Sequence, residues 1–346
     1  MSRRAAFTLD AAVHAAAAAA KAAWWTAAGR ATRALVRPTK GEQADKFTPT
    51  TAPVSAKRLR NAYLSAFEKD ARDVAAGLYP AMDVGVDPLA VFRRATDVLT
   101  DAREVDQRRR QARRTEVRAE VSSSAYPSYY RQNFHYQSGG WFTEESARRY
   151  EAQVEALFSG AAGAMRRRAL SLLAKAWRGR DHRGLKVLDL ACGSGGFLKD
   201  LQAAFPRARI LGLDLSPTYT MEARGRAGTP VVQANAEKLP FANASLDAVT
   251  CIYLFHELPP RVRPVVAAEI ARVLKPGGVL AFADSVQPLD EPDLARLLEA
   301  FPAFFHEPYY ASYAAADLPG LFGRAGLTLE DRDKAFLTKA LLLRKP

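Results

Sequence analysis

Residues 186–197 constrain this chain more than any other stretch: Lys-Val-Leu-Asp-Leu-Ala-Cys-Gly-Ser-Gly-Gly-Phe. A short apolar run carrying Asp189 breaks into small residues, and helix-compatible sequence resumes through Leu198, Lys199 and Asp200. The pattern predicts a buried parallel strand, a tight glycine turn and a helix start. Glycine lets the backbone approach a ligand closely, and the free N–H groups of a helix start face it. Two common ligand fingerprints fail. The third glycine of G-x-G-x-x-G would fall on Leu198, and no Gly-Lys-Ser/Thr follows for a phosphate loop.

Downstream, strand and helix patterns alternate, which predicts a doubly wound α/β sheet. Residues 209–214 form the second strand and end in Asp214, as the first carries Asp189 near its end. Ligands of open α/β sheets lie beyond the carboxyl ends of the strands, and an acid about 20 residues past the glycine turn suits ribose hydroxyls. The third strand and its loop run over 230–241, the fourth over 245–259 and the fifth over 271–284. A helix over 318–325 and two strands, 327–330 and 335–343, complete the chain.

Upstream the character changes. Residues 1–53 are alanine-rich and end in a polar, proline- and threonine-containing linker. Alanine favours helix but buries little area, so the helix over 1–37 needs a partner. With Trp24, Trp25 and edge arginines it is compatible with a targeting peptide or a peripheral membrane contact; a loosely docked helix is the preferred reading. Residues 54–180 predict an α-helical cap domain, with helices over 55–78 and 88–121, and residues 181–346 the sheet domain. The second helix carries Arg108, Arg109, Arg110, Arg113, Arg114 and Arg118, a solvated face rather than a single-strand reader, since no aromatic interrupts it. Then comes an aromatic stretch with Tyr126, Tyr129, Tyr130, Phe134, Tyr136, Trp141 and Phe142, followed by Thr143 as a helix N-cap. It either closes over the ligand site or forms the seam between cap and sheet.

Composition adds limits. The net charge of +13 matches nucleic acid, anionic membrane or acidic substrates, and equally plain solubility in an arginine-rich protein. The two cysteines, Cys192 and Cys251, fall in strand ends and offer no disulfide framework, which fits a reducing, cytoplasmic setting.

Asp189 with Gly193 and Gly195, Asp214, Ala-Glu-Lys-Leu-Pro-Phe at 236–241 and Leu-Lys-Pro-Gly-Gly at 274–278 resemble the motifs of class I S-adenosylmethionine (SAM)-dependent methyltransferases. The pairing of the last two motifs is similar to the small-molecule, ubiquinone/menaquinone C-methyltransferase-like branch. The resemblance covers residues 180–346 and implies a Rossmann-like seven-stranded sheet with SAM as cofactor. It assigns cofactor binding to Asp189, Ala191, Gly193, Gly195, Asp214, Leu215, Asn235, Ala236 and Tyr253. Asn235 stands where the family usually has Asp, and its amide oxygen still accepts from an exocyclic amine.

The implied reaction is in-line methyl transfer to a small, aromatic or lipophilic acceptor. His256 is the expected base, with Glu257 as its orienter or substitute, and His135 and Tyr136 are second choices from the cap. The insertion over 286–313, rich in Phe and Tyr, supplies a further wall. No metal is expected, because no carboxylate cluster of ligand spacing shows. Signatures of base-modifying enzymes are absent after the fourth strand, which disfavours nucleic acid. Rival readings are a non-catalytic SAM-binding or assembly module and a protein or RNA methyltransferase docking through the basic cap.

Overall fold

The computed structural model describes residues 9–35, 48–82, 107, 111, 116–117, 121, 125–137 and 139–346. The expected helix over 88–121 and its six arginines lie outside the described residues, apart from isolated positions.

The described elements, in chain order, begin with helices α1 (Leu9–Leu35), α2 (Ala56–Ala75), α3 (Glu144–Leu157) and α4 (Ala162–Ala176). Then follow β1 (Lys186–Leu190), α5 (Gly196–Ala204), β2 (Arg209–Asp214), α6 (Pro217–Ala227), β3 (Val231–Gln233), β4 (Leu246–Ile252), α7 (Arg263–Val273) and β5 (Leu274–Ser285). The chain closes with α8 (Ala295–Phe304), α9 (Tyr310–Ala314), α10 (Leu318–Arg324), β6 (Thr328–Ala335) and β7 (Thr338–Arg344). The strands form one sheet of seven in the order β3-β2-β1-β4-β5-β7-β6. The first five are parallel, and β7 runs antiparallel between β5 and β6.

Side chains of β1 alternate between the two faces, as the pleat requires. Val187 packs in one core layer with Leu170, Trp177, Leu198 and Ile210. Leu188 and Leu190 pack in the other, with Val249, Ile270, Phe282 and Phe322. A sheet buried on both sides explains why these strands read as unbroken apolar runs.

Three expectations change. The alanine-rich α1 is held by buried polar contacts rather than loosely docked: His14 meets Asp70 of α2 at 2.7 Å, and Lys21 meets Glu155 of α3 at 2.6 Å. Asp70 also accepts from Tyr79 and from Arg167 of α4, so one fully buried carboxylate ties three helices together. Of the paired tryptophans, Trp25 is buried. Second, α4, expected within the cap, packs along the sheet through Leu170, Leu173 and Trp177. Third, the last hairpin is longer and placed differently. β6 reaches Ala335, and Phe336 turns the chain in the left-handed region. Its run of charged residues, Glu330 to Lys334, hid the strand, because an edge strand can carry charge that an interior one cannot.

The cap start is as expected. Thr143 Oγ1 accepts from the Ser146 N–H at 3.2 Å. The Ser146 hydroxyl, at the position where a capping box would place Glu, instead contacts the Tyr219 hydroxyl at 2.8 Å and so joins α3 to α6.

Candidate active site

Two adjoining cavities open at the carboxyl ends of the parallel strands, where the fold places ligands. The first is floored by the glycine turn and the ends of β2, β3 and β4. Ala191, Gly193, Asp214, Leu215, Asn235, Ala236 and Tyr253 all line it. Tyr129, Tyr130, Phe134 and Trp141 from the aromatic stretch, and Tyr150 from α3, wall the other side. The aromatic stretch is therefore part of the cavity as well as a packing seam.

Asp214 organises the floor. Its two oxygens accept from the Gly193 N–H and the Ser216 N–H, each at 2.9 Å. Burial pushes its carboxyl above the usual range, and these backbone donors pull against that rise. Ala191 and Tyr253 border the cavity with φ of 56° and 58°, conformations that non-glycine residues adopt only at a cost. Asn235 is engaged within its own loop: its Oδ1 accepts from the Glu237 N–H at 2.9 Å. Glu237 in turn takes the Tyr129 hydroxyl at 2.7 Å, which pins the aromatic stretch to the sheet.

Two of the expected cofactor residues do not line this cavity. Gly195, with φ of 84°, caps α5, and a Cβ there would come within 2.9 Å of the Ala223 backbone; its role is close helix packing. Asp189 lies behind the wall, on the Val187 face of β1, and is 1% exposed. Thr250 Oγ1 donates to its Oδ1 at 2.6 Å, while its Oδ2 has no hydrogen-bond partner among the described residues. Burial, helped by the Asp214 charge and opposed by the Thr250 bond, raises its pKa to about 7.

The second cavity shares Tyr150, Tyr253 and Glu257 with the first. Its walls are apolar: Val154, Leu157 and Phe158 from α3, Leu297, Leu298 and Phe301 from α8, and Leu337. Its polar groups are few, namely His135, His256, Glu257, Ser285 and Tyr310. The insertion after β5 does supply a wall.

His256 is held by a residue the sequence reading did not single out. Asp284, at the end of β5 and fully buried, accepts from His256 Nδ1 at 2.6 Å. It also accepts from the backbone N–H groups of Phe255 and Ser285, at 2.9 and 2.7 Å. Asp284 thus orients the ring, whereas Glu257, expected in that role, stands 3.6 Å from Nε2 on the far side. Burial disfavours the His256 cation, but Asp284 and the nearby glutamates outweigh it and raise the pKa to about 9. A signal for Asp284 was present: like Asp189 and Asp214, it is a carboxylate near the end of an apolar strand.

His135 reaches the cavity from the cap, and Tyr136 does not. The Tyr136 ring packs on His306, centroids 5.9 Å apart, and lines neither cavity. The left-handed φ of His135, 53°, turns its side chain and that of the next residue to different sides. His135 lies between two carboxylates, Nδ1 at 2.8 Å from Glu307 and Nε2 at 3.3 Å from Glu257. Burial alone would lower its pKa, yet these two acids raise it to about 10. No cluster of ligating spacing was expected; folding makes one, with ligand atoms of His135, Glu257 and Glu307 all within 4.8 Å of one another.

Comparison with known proteins agrees with this geometry. A family model described as a methyltransferase domain matches residues 187–278. An uncharacterized methyltransferase of Synechocystis is 36% identical over 154 residues, covering 42% of this chain and 68% of that protein. A fatty-acid O-methyltransferase of Mycolicibacterium smegmatis is 38% identical over 125 residues, 35% of this chain and 45% of that protein. A demethylmenaquinone methyltransferase of Lactococcus lactis is 33% identical over 132 residues, 36% of this chain and 50% of that protein. The chain thus spans about half the length of the last two relatives. The family model's span takes in the glycine turn and the strands that floor the first cavity, and on the evidence of these matches the chain belongs to the class I SAM-dependent methyltransferases.

Proposed function

We propose that this protein methylates a small lipophilic or aromatic molecule bound in the second cavity. The observation that carries the reading is the shared wall. A cavity floored by the strand ends and one walled by α3 and α8 meet at Tyr150, Tyr253 and Glu257, and of the two only the second contains His256. Donor and acceptor would meet where the two cavities adjoin, with the reacting atoms about 3–3.5 Å apart. The relatives named as fatty-acid and demethylmenaquinone methyltransferases support a lipophilic acceptor by their names.

The residues of the first cavity fit the cofactor. The glycine turn and Asp214 suit the methionine and ribose portions, and the loop of Asn235 and Ala236 the adenine. Asp189 keeps one buried oxygen without a partner among the described residues, a carboxyl that ionises as the cofactor's cationic end is drawn toward it. The rings of Trp141, Tyr150 and Tyr253 provide π faces for a positive sulfur. When bound, SAM supplies an electrophilic methyl group on a positively charged sulfur.

The chain's own part is positioning. Alignment of reactants across a shared wall is worth up to about 7–11 kcal/mol of a barrier. The apolar side chains of α3 and α8 exclude water from the acceptor. His256, with its ring fixed by Asp284, presents Nε2 to the second cavity and in its neutral form takes a proton from an acceptor O–H or N–H; with its pKa raised to about 9, that form grows as pH rises toward 9. In this reading α3 and the aromatic stretch act as the cap of the acceptor site.

The test uses methyl-labelled SAM, purified protein and a cell extract separated into small-molecule, protein and nucleic-acid fractions. Label in an organic-soluble small molecule is expected, and it identifies the acceptor. Label confined to protein or RNA would overturn the acceptor class.

A further inference from the structure

The geometry points to a divalent-cation site formed by His135, Glu257 and Glu307 at the floor of the second cavity. Its three residues come from separate segments: the aromatic stretch, the loop after β4 and the insertion after β5. Their ligand atoms lie within 4.8 Å of one another, with closest approaches of 2.8 and 3.3 Å. Those two approaches use different ring nitrogens, Nδ1 and Nε2, whereas an ion takes one of them; donors bound to it at about 2.1 Å stand roughly 3–4 Å apart, a spacing the cluster reaches with small side-chain shifts.

Glu307 provides the independent observation. Its side chain is 0% exposed; Oε1 pairs with His135 Nδ1 at 2.8 Å, and Oε2 has no hydrogen-bond partner among the described residues. Glu257 Oε2 is buried and unpartnered as well. A buried carboxylate oxygen without a donor is costly, and a ligated ion would remove that cost. One imidazolium balances one of the two carboxylates and leaves Oε2 of each without a donor among the described residues. A divalent ion balances both and gives those oxygens a ligand role, using a single nitrogen of His135.

The donor set selects the kind of ion. Imidazole suits first-row transition ions and zinc, while carboxylates suit harder ions, so one imidazole with two carboxylates fits Mn²⁺ or Zn²⁺ better than Ca²⁺. His135 and Glu257 face the second cavity, so an open position on the ion would be directed at its contents. On the acceptor reading above, that position takes an oxygen of the acceptor.

The test does not require turnover. Full-length protein is stripped with chelator and titrated with Mn²⁺, free ion being read by electron paramagnetic resonance. Co²⁺ visible absorption is recorded in parallel. One ion per chain is expected, with at least tenfold weaker binding in both Glu307→Gln and His135→Ala. If either variant fails to fold, Glu257→Gln and the wild-type Co²⁺ spectrum still discriminate, because a protein-bound ion differs in absorption from the hydrated one. No saturable binding of Mn²⁺, Co²⁺ or Zn²⁺ would overturn the site, as would binding unchanged by every substitution. SAM binding measured on the same metal-free preparation separates loss of this site from failure of the methyltransferase reading.

Discussion

Asp189 allows a quantitative test of how the cofactor is held. In the structure its pKa is raised to about 7, chiefly by burial, and one of its oxygens has no partner among the described residues. If a cationic part of SAM stabilises the carboxylate, the bound-state pKa returns toward the ordinary value of about 4. Binding then requires ionisation. At about pH 6 some nine-tenths of the free protein carries the proton, and at about pH 8 only a tenth does. SAM affinity should therefore rise roughly tenfold between these conditions, about 1.4 kcal/mol, and about one proton should be released per binding event near pH 6. Calorimetry in two buffers of different ionisation enthalpy reads both quantities. The isosteric Asp189→Asn should bind with little pH dependence and no proton release. Equal wild-type affinity at both pH values, or the same slope in Asp189→Asn, would refute the assignment. The free protein has a matching signature of opposite sign. A carboxyl whose folded pKa lies above its unfolded value favours folding at low pH, so this contribution is lost as pH rises from about 4 to 7. Asp189→Asn should remove that loss and raise the melting temperature of the cofactor-free protein near pH 8.

Three further outcomes follow from named contacts. Asp70→Ala leaves Arg167 and Arg168 buried without their common partner and should lower stability by about 3–5 kcal/mol, read as a reduced urea midpoint at unchanged slope. The charge of Asp70 has a pH signature too. Its carboxyl is held below the ordinary range by Arg167, His14 and Arg168 against the cost of burial, so its contribution is present at neutral pH and lost as pH falls below about 4. Ala191→Gly relieves a left-handed φ and should stabilise the protein by about 1 kcal/mol in the same urea assay. Asp284→Asn frees the His256 ring and should lower kcat by roughly 10²–10⁴-fold with SAM affinity within about twofold of wild type. A comparable loss of SAM binding would mean that Asp284 only supports the fold.

Much of the fold and of the floor of the first cavity was legible, because both are written in contiguous segments. Strand, turn and helix start follow one another within residues 186–200, and Ala191, Gly193, Asp214, Leu215, Asn235, Ala236 and Tyr253 each sit at a strand end that local apolar runs reveal. Local pattern failed where side chains serve a distant partner. The charged run of β6 looked like a loop because its exposure depends on lying at the sheet edge. Alanine-rich α1 looked unanchored because its buried contact, His14, pairs with Asp70, far along the chain.

The sequence by itself determined a doubly wound sheet with carboxylates near the ends of β1 and β2 and a glycine turn between them. Hydrophobic period and turn chemistry act over a few residues, so no long-range information was needed. Only the tertiary structure decided that Asp284 rather than Glu257 orients His256, that Tyr136 turns away while His135 enters the cavity, and that Glu307 joins His135 and Glu257. Those outcomes depend on which loops converge at the carboxyl edge of the sheet. Convergence is set by the packing of whole helices and strands, and the spacing of residues along the chain carries no trace of it.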